Sequence, residues 1–428
     1  VRLSELVGSS RFSVEWDFLR TPVFPLMLKV AFWLLGRQVM AVIALQTCLA
    51  CAGIWLLSHR LRSVGLVVAA PLGVGLLGAF PTLIAYEHAL LTEVASFFFF
   101  SLLVYLVAAP ESPSVKGAVV LALAIGLGYY NRSSLIYLAP VIGGIYIAGE
   151  LKQGWKQPDP ARRYRFARRA VSQYLIIAIL PFLLAYPWKR NPKVSTRNGH
   201  VLLYGLVKQG VLPVNDPILG ATAPVYANVI EQSKSNGVFP NAGLRNGFEW
   251  SVINPIYGYG SVAGSIFWRV IRTHPDLYFH GVARNLAMFS GIGNFAYDNA
   301  LVRHVIFTSG ASQIDPGPSW ITPLGDEFKR TTAPSFISRE LERIAPLYDW
   351  MVRFGLLATI AGFLVGVWRL DKFILAFTAP ALAFIVMHAL LLVSQDRMIL
   401  PVQPVLLLNL IALPASLRKH CWYPLLRK

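Results

Sequence analysis

The chain has 428 residues, of which 55% are hydrophobic and only 14% charged, and its mean hydropathy is +0.54. Soluble domains carry about 25% charged residues, so this composition excludes a soluble globular protein and marks a polytopic membrane one. The formal net charge of +18 does not by itself make a nucleic-acid binder, because lysine and arginine gather on the cytoplasmic loops of membrane proteins.

The opening stretch, "VRLSELVGSSRFSVEWDFLRTP" (1–22), has no initiator Met and lacks the basic, apolar and small-residue layout of a signal peptide. It reads as the middle of a loop, with an apolar span expected upstream. Residues 23–36, "VFPLMLKVAFWLLG", are apolar but short and proline-flanked, which predicts a juxtamembrane helix. About 20 apolar residues cross a bilayer. On that rule spans are expected near 38–58, 64–84, 90–108, 115–130, 135–149, 171–188, 351–368, 372–393 and 399–417. The fourth and fifth are short, so they tilt little or form one broken hairpin around "YYNRSS". Cys48 and Cys51 in "CLAC" have the spacing of a redox pair but sit inside an apolar run, which predicts lipid-embedded packing; Cys421 is the third cysteine.

The basic residues then sort by side. "SHRLRS" (58–63), "ELKQGWKQPDPARRYRFARRA" (150–170), "RLDK" (369–372) and the tail "RKHCWYPLLRK" (418–428) follow alternate spans. One cytoplasmic side for all four satisfies the positive-inside bias and places 1–37, 85–89, 131–134, 189–350 and 394–398 outside. The expected fold is an all-α polytopic transmembrane helical bundle with outer-face juxtamembrane helices and a large outer loop region. Its divisions are 1–188, a transmembrane module; 189–350, the outer region; and 351–428, a closing hairpin with a basic tail. Within 189–350, "GSIFWRVIRTHPDLYFHGVARNLAMFSG" (264–291) predicts two amphipathic helices broken at Pro275 and lying on the membrane surface.

The unusual polar groups converge on the outer side. Glu15, Asp17 and Arg20 precede the first crossing. Glu87, His88 and Glu93 occupy the second outer loop, Asn131 and Arg132 the third, Lys189 and Arg190 follow the sixth span, and Asp396 and Arg397 fill the last loop. Fixed cations suit a lipid-linked phosphate, and a carboxylate can take the proton of an attacking hydroxyl. Simpler readings exist for most of them. Arg132 can snorkel to headgroups, Lys189 and Arg190 can anchor at an interface, Asp396–Arg397 can be an interfacial pair, and Glu15 and Asp17 lie where acids cost little. Glu93, between "ALLT" and "VASFFFF", has no such excuse, because an acid in an apolar run is costly without a use. Asn131 also begins an Asn-Arg-Ser glycosylation pattern, read as chance so close to the membrane.

Four segments, in order, resemble polytopic glycosyltransferases of the GT-C class, most of all the family 39 group of protein mannosyltransferases and bacterial lipid A aminoarabinose transferases. "FLRTPVFPLMLKVAFWLLG" (18–36) is similar to that family's R-x-P-x-Y-P-L entry. "YEHALLTEVASFFFFSLLVYLVA" (86–108) is similar to its second outer loop and following helix. "LGYYNRSSLIYLAPVI" (127–142) resembles its R-x-x-x-L-x-x-x-P hairpin, and "DRMILPVQPVLLL" (396–408) its closing R-Y-x-x-P-x-x-P-x-L-L span. "THPDLYFHGVARNL" (273–286) is similar to its outer juxtamembrane helices. Each motif alone is degenerate; their order carries the likeness.

The resemblance implies transfer of a sugar from a polyprenyl-phosphate donor to a lipid, glycan or protein acceptor, on the periplasmic face of a bacterial inner membrane, with no nucleic-acid partner. It implies Glu93 as the second-loop acid and Arg20, Arg132 and Arg397 as phosphate-binding cations, with Lys189 and Arg190 beside them. Glu87, His88 and Asp396 are weaker candidates for contact with an acceptor or with a divalent metal, the one candidate cofactor. The family's principal acid lies in the first outer loop, upstream of a Y-x-x-x-A-x-x-L stretch, and this chain begins downstream of that point. Either an upstream carboxylate or Glu15 or Asp17 fills that role. The rival readings are an O-antigen ligase or polymerase, a flippase for an anionic lipid, and a non-catalytic scaffold of envelope polysaccharide assembly.

Overall fold

The computed structural model describes residues 22–36, 39–88, 92–109, 113–190, 192–235, 256–290, 336–392 and 396–422. Every regular element among them is helical. In chain order these are α1 (Val23–Leu35), α2 (Val39–Ser63), α3 (Ala69–Gly78), α4 (Pro81–Glu87), α5 (Glu93–Val107), α6 (Val115–Asn131) and α7 (Ala139–Trp155). They continue as α8 (Pro160–Lys189), α9 (Pro192–Lys208), α10 (Ala223–Ser235), α11 (Ala263–Thr273), α12 (Pro275–Phe289), α13 (Phe336–Arg369), α14 (Lys372–Leu390) and α15 (Gln403–Trp422). By length and composition five helices can cross a membrane, or six if the bent pair α3–α4 is one span. The helices α5, α6 and the Gln403–Leu417 part of α15 are apolar but shorter, as is α1.

Local chemistry explains where these helices start and break. Ser114 accepts from the Gly117 amide at 3.0 Å to open α6, and Asp159 accepts from Ala161 at 2.9 Å beside Pro160 to open α8. Asp371 accepts from Phe373 and Ile374 at the head of α14. The pair α3–α4 bends by 55° where Phe80, extended at φ −72° and ψ 106°, precedes Pro81. Two helices outrun their expected limits. The basic stretch 160–170, expected in a loop, forms the first turns of α8, and α13 starts at Phe336, well before the span expected at 351. Arginine and glutamate are good helix formers, so a span of 18 apolar residues extends into water without breaking.

The chain divides into two compact units, Val1–Ala185 with Tyr297–Phe384 and Ile399–Lys428, and Tyr186–Ala296 with Ile385–Met398. In the first, side-chain contacts fix helix direction. A Cβ on Gly53 of α2 would lie 2.8 Å from Phe97 of α5, and farther along Arg60 donates to the Tyr105 carbonyl at 3.0 Å. Those two helices are therefore parallel. Asn131 reaches Ser96, and Gly128 lies over Phe99, so α6 is antiparallel to α5. Phe166 packs on Gly154 and Tyr174 on Gly143, so α7 and α8 form a hairpin. Lys152 donates to the Arg369 carbonyl at 2.9 Å and Lys372 to the Ala109 carbonyl at 2.8 Å, so the ends at 58–63, 150–170 and 369–372 lie together. Glu87, Glu93 and Arg132 lie at the opposite helix ends.

The core of this unit is held mainly by close approach. Gly355 and Gly362 of α13 let Leu406 and Leu413 of α15 into the space a Cβ would fill. Asn409 donates to Thr359 and to the Phe377 carbonyl at 2.9 and 3.0 Å, tying α13, α14 and α15. Outward go Val171, Leu175, Ile179 and Leu183 on α8, and Leu357, Ile360, Leu364 and Val367 on α13. Four-residue apolar stripes of this kind are stable facing lipid and a liability facing water. Cys48 and Cys51 are likewise exposed on α2.

The second unit contains α9 to α12. As expected, the chain breaks between two helices at His274–Pro275. The apolar stripe of α11, however, is covered by protein: Ile266, Phe267 and Val270 are buried, and Phe267 meets Tyr278 edge-on at 5.9 Å. A polar network, buried at Gln209, Asp216 and Asn285, joins the pieces. Arg269 donates to both Asp216 oxygens at 2.8 and 2.6 Å, while Asp216 caps the turn Pro217–Thr222. Arg284 donates to the Gln209 carbonyl at 2.7 Å, and Gln209 to Asn285. Burial pulls the Arg284 guanidinium below its ordinary pKa and pushes the Tyr226 phenol up.

Candidate functional site

Glu93 opens α5, where the partial positive charge of a helix start favours a carboxylate. Thr92 provides no side-chain cap; Ser96 instead donates back to the Thr92 carbonyl at 2.7 Å. Glu93 is only 4% exposed, and its Oε2 has no hydrogen-bond partner among the described residues. An open acceptor on a buried acid costs on the order of 1–3 kcal/mol.

The same turn receives the end of α6. Asn131, its last residue and buried, donates through Nδ2 to Ser96 Oγ at 3.0 Å. The next residue, Arg132, leaves the helix with φ −147° and ψ 115°, and the chain turns into the 3₁₀ segment Ser133–Leu138. That bend leaves a half-buried Arg132 one residue beyond the Asn131–Ser96 contact. "TEVAS" and "YYNRSS" therefore form one place, with an acid and a cation brought there by the Ser96–Asn131 bond. Asn131, enclosed and committed to Ser96, is not presented as a glycan acceptor.

Glu87 and His88 share this end of the unit but are tied to their surroundings. Thr47 donates to Glu87 Oε2 at 2.9 Å, and Gln46 to its backbone carbonyl at 3.1 Å. His88 Nδ1 pairs with the Ile84 carbonyl at 2.9 Å, closing the last turn of α4. Among the described residues no group of three or more His, Cys, Asp and Glu is placed to hold a metal ion.

Of the other candidates, Glu15, Asp17 and Arg20 lie outside the described residues, as do the side chains of Asp396 and Arg397. Lys189 and Arg190 close α8, half-buried and exposed respectively, and belong to the second unit, as does the 3₁₀ turn Asp396–Ile399 up to Met398. Sequence reasoning missed Thr47 and Gln46, which hold Glu87, and Ser96, which holds Asn131. Their signal was available: each is a polar residue in an otherwise apolar helix. No protein-family model, curated protein or solved structure matches this chain.

Proposed function

We propose that the chain is an integral membrane glycosyltransferase that moves a sugar from a polyprenyl-phosphate donor to an acceptor hydroxyl at the outer membrane surface. The observation that carries the reading is the buried, open Oε2 of Glu93 beside the Asn131–Arg132 bend. The likeness of segments 18–36, 86–108, 127–142 and 396–408 to family 39 enzymes supports it. So does the gathering of 58–63, 150–170 and 369–372 at one end of the first unit, which makes the end holding Glu93 the outer one under the positive-inside bias.

In this reaction the acceptor oxygen bonds to the sugar's anomeric carbon as the bond to the phosphate oxygen breaks. The acceptor proton goes to a carboxylate of the first outer loop, for which Glu15 and Asp17 are the acids in this chain. Arg132 balances the charge that develops on the departing polyprenyl phosphate, with Arg20 of the first outer loop as a further cation. Glu93 accepts a hydrogen bond from a sugar or acceptor hydroxyl and orients it.

The test uses membranes containing the full chain and polyprenyl-phosphate hexoses, with release of free polyprenyl phosphate as readout. Glu93→Gln and Arg132→Ala are each expected to lower release by about 100-fold or more at unchanged membrane abundance. Wild-type release from both variants would retire the reading.

A further inference from the structure

The first eleven residues of α8, "PARRYRFARRA" (160–170), contain five arginines and no acid. They are the start of a helix of 30 residues, about 45 Å long at 1.5 Å per residue. The apolar part begins at Val171, so the basic part extends over about 16 Å from the end of the exposed apolar stripe. It is not a loose extension. Phe166 packs on Gly154 of α7, Arg169 Nε lies 3.2 Å from Glu150 Oε1, and Arg169 also donates to the Pro113 carbonyl at 3.1 Å.

These clamps use one face of the helix. Phe166, Ala170, Gln173 and Ile177 point into the unit at helical spacing, which turns Arg165 and Arg168 to the opposite face. Both are exposed, and neither guanidinium has a hydrogen-bond or ion-pair partner among the described residues. One amphipathic ring lies on the same face: Tyr164, four residues before Arg168, is 68% exposed. A tyrosine ring of this type favours the headgroup level of a bilayer.

We infer that Arg165 and Arg168, with Tyr164 beside them on the same face of α8, form a docking surface for anionic phospholipid headgroups. Arginine forks two phosphate oxygens at once and sheds water more readily than an ammonium does. The height of the surface argues for lipid: the cations begin where the apolar stripe of the same helix stops, within headgroup reach. The inference is independent of any transfer chemistry at Glu93.

The test uses the full chain in mixed micelles of neutral and net-negative glycerophospholipids, with retained lipid counted by native mass spectrometry. Wild-type protein is expected to enrich the anionic lipid on the order of tenfold at low salt, and to lose that enrichment near 1 M salt, where the Debye length is about 3 Å. Arg165→Gln with Arg168→Gln should lose most of it, while Arg165→Lys with Arg168→Lys should keep most of it, with thermal stability in neutral lipid unchanged throughout. Equal retention of both lipids by the wild type would overturn the inference. So would undiminished enrichment in the glutamine variant, or displacement of the lipid by a short nucleic-acid duplex at about 0.15 M salt.

Discussion

Two acids six positions apart answer opposite questions. Glu87 is a bonded residue: Thr47 satisfies its Oε2, and Gln46 holds its backbone. Glu93 is buried, and its Oε2 has no hydrogen-bond partner among the described residues. Their variants should therefore part company. Glu87→Gln keeps an oxygen that can accept from Thr47, so polyprenyl-phosphate release should stay within a few-fold of wild type. Glu87→Ala should instead lower stability by about 1–2 kcal/mol, because it strands the Thr47 hydroxyl; denaturant titration in detergent micelles reads this directly. Glu93→Gln should act the other way, removing turnover without lowering the melting temperature. A loss of turnover in Glu87→Gln equal to that in Glu93→Gln would show that the hydrogen-bond pattern does not separate their roles. Asn131 was legible as a polar residue near Arg132, but its bond to Ser96 was not, since no local pattern pairs residues 35 apart.

At the scale of elements, the glycines of α13 show how packing outweighs propensity. Glycine costs a helix about 1 kcal/mol against alanine, yet Gly355 and Gly362 persist where the backbone of Leu406 and the side chain of Leu413 come closest. Gly355→Leu should push α13 off α15 and cost about 3 kcal/mol or more by overpacking. Gly144 of α7 has no atom within 4 Å of an added Cβ. Gly144→Ala should accordingly raise stability by about 0.5–1 kcal/mol, and thermal melts of the two variants should shift in opposite directions. The helices themselves were readable because apolar length and proline position are local properties. Their ends were less so: α8 and α13 run past their apolar stretches because arginine and glutamate favour helix.

For the whole molecule, the decisive prediction concerns sides. Tyr137, exposed on the 3₁₀ turn, and Lys156, at the far end of α7, terminate opposite ends of one helical passage. In a background where Cys48, Cys51 and Cys421 are serine, Tyr137→Cys should react with an impermeant maleimide from outside intact cells. Lys156→Cys should react only after lysis. Labelling of both from one side would break the membrane reading of α7. The sequence alone determined that this is an apolar, helical chain whose basic segments recur after alternate spans, because hydropathy and charge are additive along the chain. It also singled out Glu93 as a residue with no easy lodging, and Arg132 as a candidate cation with snorkelling to headgroups as its simpler reading. Only the tertiary structure decided that the first turn of α5 and the end of α6 meet through Ser96 and Asn131, that Glu87 is tied to Thr47, and that the stripe of α11 is covered by protein. Those outcomes depend on which distant surfaces pack together, and close packing between helices is a property of pairs that no single stretch of sequence contains.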